Sequence, residues 1–213
     1  MTKLPRRPDP ERLRRTEPDV RTLPASTTLY RIYSRGGPHP TSWNTFRRFG
    51  PVRSRFDHHE PDADGLPVIQ DRSILYAALD IPTAFAEVFQ HGGRVIDRRD
   101  RAPWIAAFDT GEPLDLLDLT DTFALRAGAS MKLMTDSVLV SRLWAHAFHA
   151  TWPDLPGIRY RSSLTGRPCV ALNERAAESI ADGGTLRLHR ALADPTLLPV
   201  IKSAAAEIGY DVL

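Results

Sequence analysis

The chain has 213 residues, enough for one domain of ordinary size with a substantial core. A hydrophobic fraction of 42% beside a charged fraction of 25% excludes a disordered chain and a fibrous repeat. The net charge is only +2, yet arginine is concentrated early, at Arg6, Arg7, Arg12, Arg14, Arg15, Arg21, Arg31, Arg35, Arg47, Arg48, Arg53 and Arg55, which points to an anionic ligand or partner.

From Met1 to about Pro24 the sequence is rich in Arg, Pro, Glu and Asp and has no apolar periodicity. It reads as a flexible arm over residues 1–26, with the folded domain over 27–213. Thr28 to Tyr33 alternates as a strand, with Leu29, Arg31 and Tyr33 on one face and Thr28, Tyr30 and Ile32 on the other. The stretch Gly36 to Pro67 is long for a connection in a compact domain, and that length marks it as a binding segment. Ser73 to Ala77 reads as a short strand. Asp80 then caps a helix that runs to about Gln90, with Pro82 in its first turn and Gly92-Gly93 as its stop. Strands follow at Trp104 to Asp109 and Leu114 to Leu119. Val140, Leu143, Trp144, Ala147 and Phe148 share one helical face, so about Asp136 to Thr151 is predicted as the main core helix. Gly157 to Ser162 and Pro168 to Leu172 are strands about a turn at Thr165-Gly166, a hairpin if they pair directly. A strand near Leu186 to His189 and a helix from about Pro195 to Ile208 finish the chain. Irregular alternation without a βαβ rhythm predicts a single mixed α+β domain rather than a doubly wound sheet.

Cys169 is the single cysteine, which excludes an intramolecular disulfide and a cysteine-built zinc cage and fits a reducing compartment. No apolar run reaches the roughly 20 residues of a membrane helix, and no signal-peptide pattern follows the arginine-rich start, so the expected location is cytoplasmic. Walker, dinucleotide-fingerprint and serine-elbow motifs are absent. His58 and His59, with Asp57, Glu60 and Asp62 nearby, could in principle take a divalent ion, but adjacent loop histidines rarely converge on one centre and no metal is expected. What remains is a set of polar residues on core-like elements: Arg31, Tyr76, Glu87 and Ser162. On a helical wheel Ala84, Phe85, Val88 and Phe89 form the buried stripe and Glu87 sits at its margin, where a carboxylate needs a partner or a ligand. An arginine-paired boundary glutamate and a ligand-binding one are both open at this level. A nucleic-acid-binding arm is a further reading, weakened by the interrupting Asp9, Glu11, Glu17 and Asp19.

Leu29-Tyr30-Arg31, Arg48-Phe49-Gly50 through Ser54-Arg55-Phe56-Asp57, Ile74-Leu75-Tyr76, Ala86-Glu87-Val88-Phe89 and Gly157-Ile158-Arg159-Tyr160-Arg161-Ser162 occur in the order that marks the RES domain. Over about Thr27 to Glu174 the chain resembles that family. The resemblance implies a fold similar to the diphtheria-toxin-like ADP-ribosyltransferases, NAD as substrate, and the toxin half of a toxin–antitoxin pair whose partner is an Xre-type antitoxin. The implied outcomes are NAD hydrolysis, phosphorolysis, or ADP-ribose transfer to a protein. By motif position Arg31, Glu87 and Ser162 carry the three residues for which the family is named. Arg55 stands for the arginine of the family's Gly-Arg-Trp-Asn stretch and Tyr76 for its strand tyrosine. The chain departs from that stretch at Ser54, Phe56 and Asp57. The chemistry agrees with these roles. Cleavage of the nicotinamide–ribose bond builds positive charge on the ribose, which a carboxylate such as Glu87 stabilises. The guanidinium groups of Arg31 and Arg55 suit a pyrophosphate. Tyr76 can stack on nicotinamide, and Ser162 can hydrogen-bond its amide or a ribose hydroxyl.

Overall fold

Strands whose successive residues are apolar on both faces need cover on both sides, and the architecture supplies it. The computed structural model describes residues 7–213. In chain order they form α1 (Pro10–Arg15), β1 (Val20–Leu23), β2 (Thr28–Ser34), β3 (Arg47–Gly50), β4 (Val68–Ala78), α2 (Ile81–Phe89), β5 (Val95–Ile96), β6 (Pro103–Asp109), β7 (Leu114–Asp118) and α3 (Phe123–Arg126). Then follow α4 (Val138–Thr151), β8 (Gly157–Arg161), β9 (Pro168–Asn173), β10 (Thr185–Ala191), α5 (Leu198–Ile208) and β11 (Asp211–Val212).

The main sheet runs β1-β7-β8-β9-β4-β2-β6-β10, with β3 also paired to β4, while β5 and β11 form a separate parallel pair. Within the main sheet β7 and β8 run parallel. β2 pairs with β6 along its whole length, and β4 pairs with β9 over Ile74 to Ala78. Between β2 and β4 the register is a single pair, Tyr30 with Ala78. The sheet is thus two ribbons stitched at one point. Opposed residues of an antiparallel pair share a face, so Tyr30, Ile32, Ile74, Tyr76 and Ala78 look into one core, covered by Phe85 of α2, Trp144 and Phe148 of α4 and Ile201 of α5. Leu29, Tyr33, Leu75, Ala77 and Phe108 look into the other, covered by Trp43, Phe46 and Ile180.

The predicted mixed α+β domain, the strand at residues 28–33, the Asp80-capped helix and the β8–β9 hairpin are all present. The arm is not as expected. Its residues 1–6, Arg6 among them, lie outside the described residues, but the rest carries ordered elements. The Asp9 carboxylate accepts the N–H of Glu11 at 3.0 Å and of Arg12 at 3.3 Å, so α1 is capped. Leu13 is fully buried, and β1 pairs with β7 from Val20–Leu117 to Leu23–Leu114. One apolar residue in a two-turn helix leaves no periodicity to read. Leu13→Ala is expected to cost about 2–5 kcal/mol, seen as a lower urea midpoint; an unchanged midpoint would return the segment to a loose arm.

Two predicted stripes are rotated. On α4 Leu143 is exposed, and the buried face is Ser141, Trp144, Ala145 and Phe148. Ser141 tolerates burial because its hydroxyl donates to the Val138 carbonyl at 3.0 Å. On α2 Val88 is exposed while Thr83 is buried, its hydroxyl bonded to Asp80 at 3.0 Å and facing that of Thr165 at 2.9 Å. The long connection before β4 contains β3, and β4 itself starts well before the predicted Ser73.

Candidate active site

Glu87 lies one helical turn beyond Thr83 on α2, and the turn of the β8–β9 hairpin is tied to the start of that helix. Thr165 meets Thr83, and Arg167 pairs with Asp80 at 3.2 Å. The Glu87 side chain is half-buried and accepts no hydrogen bond among the described residues. Its charge is felt by Arg55, Tyr160 and Cys169. Arg55 senses that charge without forming an ion pair with Glu87. The Arg55 Nη1 donates instead to the carbonyls of Leu133 at 3.0 Å and Asp136 at 2.8 Å. Burial lowers the Arg55 pKa, and the Glu87 charge offsets part of that. A half-buried carboxylate that acts on a guanidinium without closing an ion pair with it needs water or a ligand to satisfy it.

The segment carrying Arg55 is held from below. The Tyr76 hydroxyl donates to the Arg55 carbonyl at 2.9 Å. Phe56 takes a left-handed backbone with φ of 59° and is buried against the Tyr160 ring at 4.9 Å. A bulky residue there is strained, and packing is what keeps it in place. Asp57 is the hub. Its carboxylate accepts from Arg47 at 3.0 Å, from the Val52 N–H at 2.7 Å, and from both the backbone and the ring of His59 at 3.1 and 2.6 Å. Burial alone would raise its pKa, but the His59 bond, the Arg47 charge and the backbone donors outweigh it and hold the carboxyl well below the usual range. Gly50 is required by this arrangement, since a Cβ there would sit 2.5 Å from the His59 ring.

Tyr76 shows what surrounds the site. Burial keeps its phenol neutral, raising its pKa above the ordinary value despite Arg47 and Arg142 nearby. Tyr160 and Cys169, opposed across the hairpin, are held protonated the same way, chiefly by burial. Cys169 is therefore unsuited to act as a nucleophile. Arg142 projects from α4, and its Nε is buried without a partner among the described residues. Sequence reasoning missed Arg47 and Arg142. Arg142 follows a buried serine in an apolar helix, a signal only once the buried face is known.

The structure brings Arg55, Tyr76 and Glu87 into one neighbourhood. Arg31 approaches differently. It alternates with Tyr30 and Ile32 and so lies on the Leu29 and Tyr33 side of β2, where Nη1 donates to the carbonyls of Trp43 at 2.8 Å and Thr45 at 2.9 Å. Burial, only partly countered by Tyr33, pulls its pKa down to about 10. No carboxylate among the described residues pairs with it. Ser162 is buried, and its Oγ accepts from the N–H groups of Leu164 at 3.1 Å and Thr165 at 3.2 Å, so it holds the hairpin turn that docks on α2.

His58 and His59 part company. His59 serves Asp57 and the Arg47 carbonyl, whereas His58 turns to Glu174 at 3.3 Å, which also meets His149 at 2.8 Å. Of the acidic neighbours expected around the pair, Asp57 binds His59, whereas Glu60 bonds to Arg72 at 2.6 Å and to His146 at 3.1 Å, and Asp62 accepts from the N–H groups of Asp64 and Leu66.

Fold and site together define a mixed α+β domain with a half-buried carboxylate, Glu87, whose charge acts on the guanidinium of Arg55. The profile of the RES domain matches residues 28–191, and the chain belongs to the RES-domain family. A solved structure of similar fold is the crystal structure of the M. tuberculosis MbcT–MbcA toxin–antitoxin complex. It aligns with a TM-score of 0.58 and 17% identity over 91% of this chain and 96% of that chain. No curated protein matches the chain. Among the described residues no helix is long and apolar enough to cross a membrane.

Proposed function

We propose that this chain is an enzyme that cleaves the nicotinamide–ribose bond of NAD, and that it works as the toxin of a toxin–antitoxin pair. The observation that carries the reading is Glu87, a half-buried carboxylate with no hydrogen-bond or ion-pair partner among the described residues, whose charge acts on the partly buried guanidinium of Arg55. Loss of nicotinamide leaves an oxocarbenium-like ribose, and a fixed negative charge beside it lowers the barrier more than it stabilises the ground state. The dianionic pyrophosphate suits guanidinium groups that lack a carboxylate; Arg55 and Arg142, both beside Tyr76, are of that kind, whereas Arg31 lies on the other face of β2 and would reach such a ligand only by leaving the Trp43 and Thr45 carbonyls. Arg47 is already committed to Asp57. Tyr76 supports Arg55 through its carbonyl and offers its ring as a wall. Ser162 holds the hairpin turn with its lone pairs and keeps its hydroxyl proton for a ligand oxygen.

The fold neighbour was solved with its antitoxin, and the proposed partner here is likewise an antitoxin protein, one whose acidic group or chain end competes for the same cations. The Xre type follows from the family resemblance.

Purified protein incubated with NAD, with and without phosphate, is expected to release nicotinamide and yield ADP-ribose, or its 1″-phosphate when phosphate is present. An unchanged NAD pool by mass analysis would overturn the reading.

A further inference from the structure

His58, His149 and Glu174 come from three separate parts of the chain: the segment before β4, the last turn of α4 and the residue after β9. One ligand atom from each lies within 4.8 Å of the other two. Both ring Nε2 atoms point at the same carboxylate, His58 to Oε2 at 3.3 Å and His149 to Oε1 at 2.8 Å. The imidazoles stack with centroids 4.5 Å apart, so their edges face the carboxylate together. Glu174 is fixed in that position by the Ser73 N–H, which donates to Oε2 at 3.0 Å.

We propose that these three residues bind one divalent transition ion of the zinc class, through two imidazole Nε2 atoms and a carboxylate oxygen, with water in the fourth position. Bonds of about 2.0–2.1 Å in a tetrahedral site put neighbouring ligand atoms about 3.3 Å apart. The two measured separations, 3.3 and 2.8 Å, lie at and below that value and run to different oxygens, so the ion requires a turn of the Glu174 carboxylate and small shifts of the two rings. On binding, each Nε2 turns its lone pair to the metal and the ring proton resides on Nδ1. Two imidazoles and one carboxylate are a donor set for zinc and its first-row neighbours rather than for calcium or magnesium.

The surroundings fit. The side chain of His58 is 5% exposed, that of His149 17% and that of Glu174 33%, so the group has one open side for ion entry. On the inner side lies a cavity of about 30 Å3 lined by both histidines, Asn173, Phe56, Phe148 and Trp152. That exceeds the ~10–15 Å3 one water needs, and Asn173 supplies polar lining. An ion here would pin the segment bearing Arg55 and Asp57 to α4, which bears Arg142. It is therefore a staple on the wall of the candidate active site, not a participant in bond cleavage.

The test uses the full chain after treatment with a chelator. Zn2+ titrated by calorimetry is expected to bind with a stoichiometry near one, and Co2+ to give the visible d–d absorption of a four-coordinate nitrogen and oxygen site. His149→Ala and Glu174→Gln should both lose that binding, while His146→Ala, which removes a nearby histidine outside the group, should keep it. If a variant fails to fold by circular dichroism, broadening of the His58 and His149 ring resonances by Co2+ in the wild-type chain decides the matter. Wild-type protein that takes up no stoichiometric Zn2+, ring resonances untouched by Co2+, or folded variants that bind as the wild type does, would each overturn the proposal. None of these outcomes bears on NAD cleavage, which rests on Glu87.

Discussion

Glu87→Gln is expected to lower NAD turnover by on the order of 10²–10³-fold, the loss typical when one preorganised group that stabilises transition-state charge is removed. The same substitution should leave the thermal midpoint nearly unchanged. Glutamine keeps the volume, and the carboxylate it replaces has no ion pair or hydrogen bond to lose among the described residues. Nicotinamide release and a melting curve on the same preparation separate the two effects. If instead Glu87 were a structural partner of an arginine, the ranking would reverse: stability would fall and turnover would change little. Wild-type turnover in Glu87→Gln would move the stabilising charge to another residue.

Asp57→Ala is expected to destabilise the chain by roughly 3–5 kcal/mol, because breaking one side of a buried charged pair leaves the other charge without compensation. Here the loss is compounded. Arg47, the His59 ring and the N–H groups of Val52 and His59 all give up their acceptor, and the alanine methyl offers none of them a replacement. For a domain of this size the melting temperature should drop by on the order of 10 °C. Turnover per folded molecule should also fall, since Arg55 precedes this hub by two residues and takes its position from it. A denaturant series with a midpoint within the scatter of the wild type would mean that Asp57 is not the hub.

Part of the candidate site was legible from residue type and order, and what was not has physical causes. The β2 alternation places Arg31 on the Leu29 and Tyr33 face as read. Glu87 at the margin of α2 follows from where its apolar neighbours fall, even though the stripe is rotated toward Thr83. That rotation was unreadable because hydropathy counts a threonine or serine hydroxyl as polar, whereas Thr83 and Ser141 satisfy theirs within their own helices or cap. The loop containing Asp57 was harder still. A sequence Ser-Arg-Phe-Asp-His-His shows no periodicity, and only tertiary placement reveals that Asp57 and His59 turn inward together while His58 turns toward α4. Likewise α1 and β1 are stabilised by partners about 100 residues away, Arg126 and β7, and a local reading has no access to those. The role of Ser162 was read from its position in a motif; that its lone pairs serve the turn first becomes apparent only from the hairpin geometry.

The order of strands in the sheet also governs how the chain can reach this structure. β1 joins β7, β2 joins β6, and β6 joins β10, each closing a long stretch of chain before the pairing yields any gain. Among the described main-sheet pairings β8 with β9 spans a turn of only a few residues. Contacts between sequence-distant strands slow the search for the native state, and hairpins with short turns form orders of magnitude sooner. The hairpin closed by Ser162 is thus the natural nucleus of the sheet, and the single stitch between β2 and β4 is a late event. The residue that organises the turn docked on the start of α2 belongs to the earliest structure, while the Arg31 strand joins it only when the two ribbons meet.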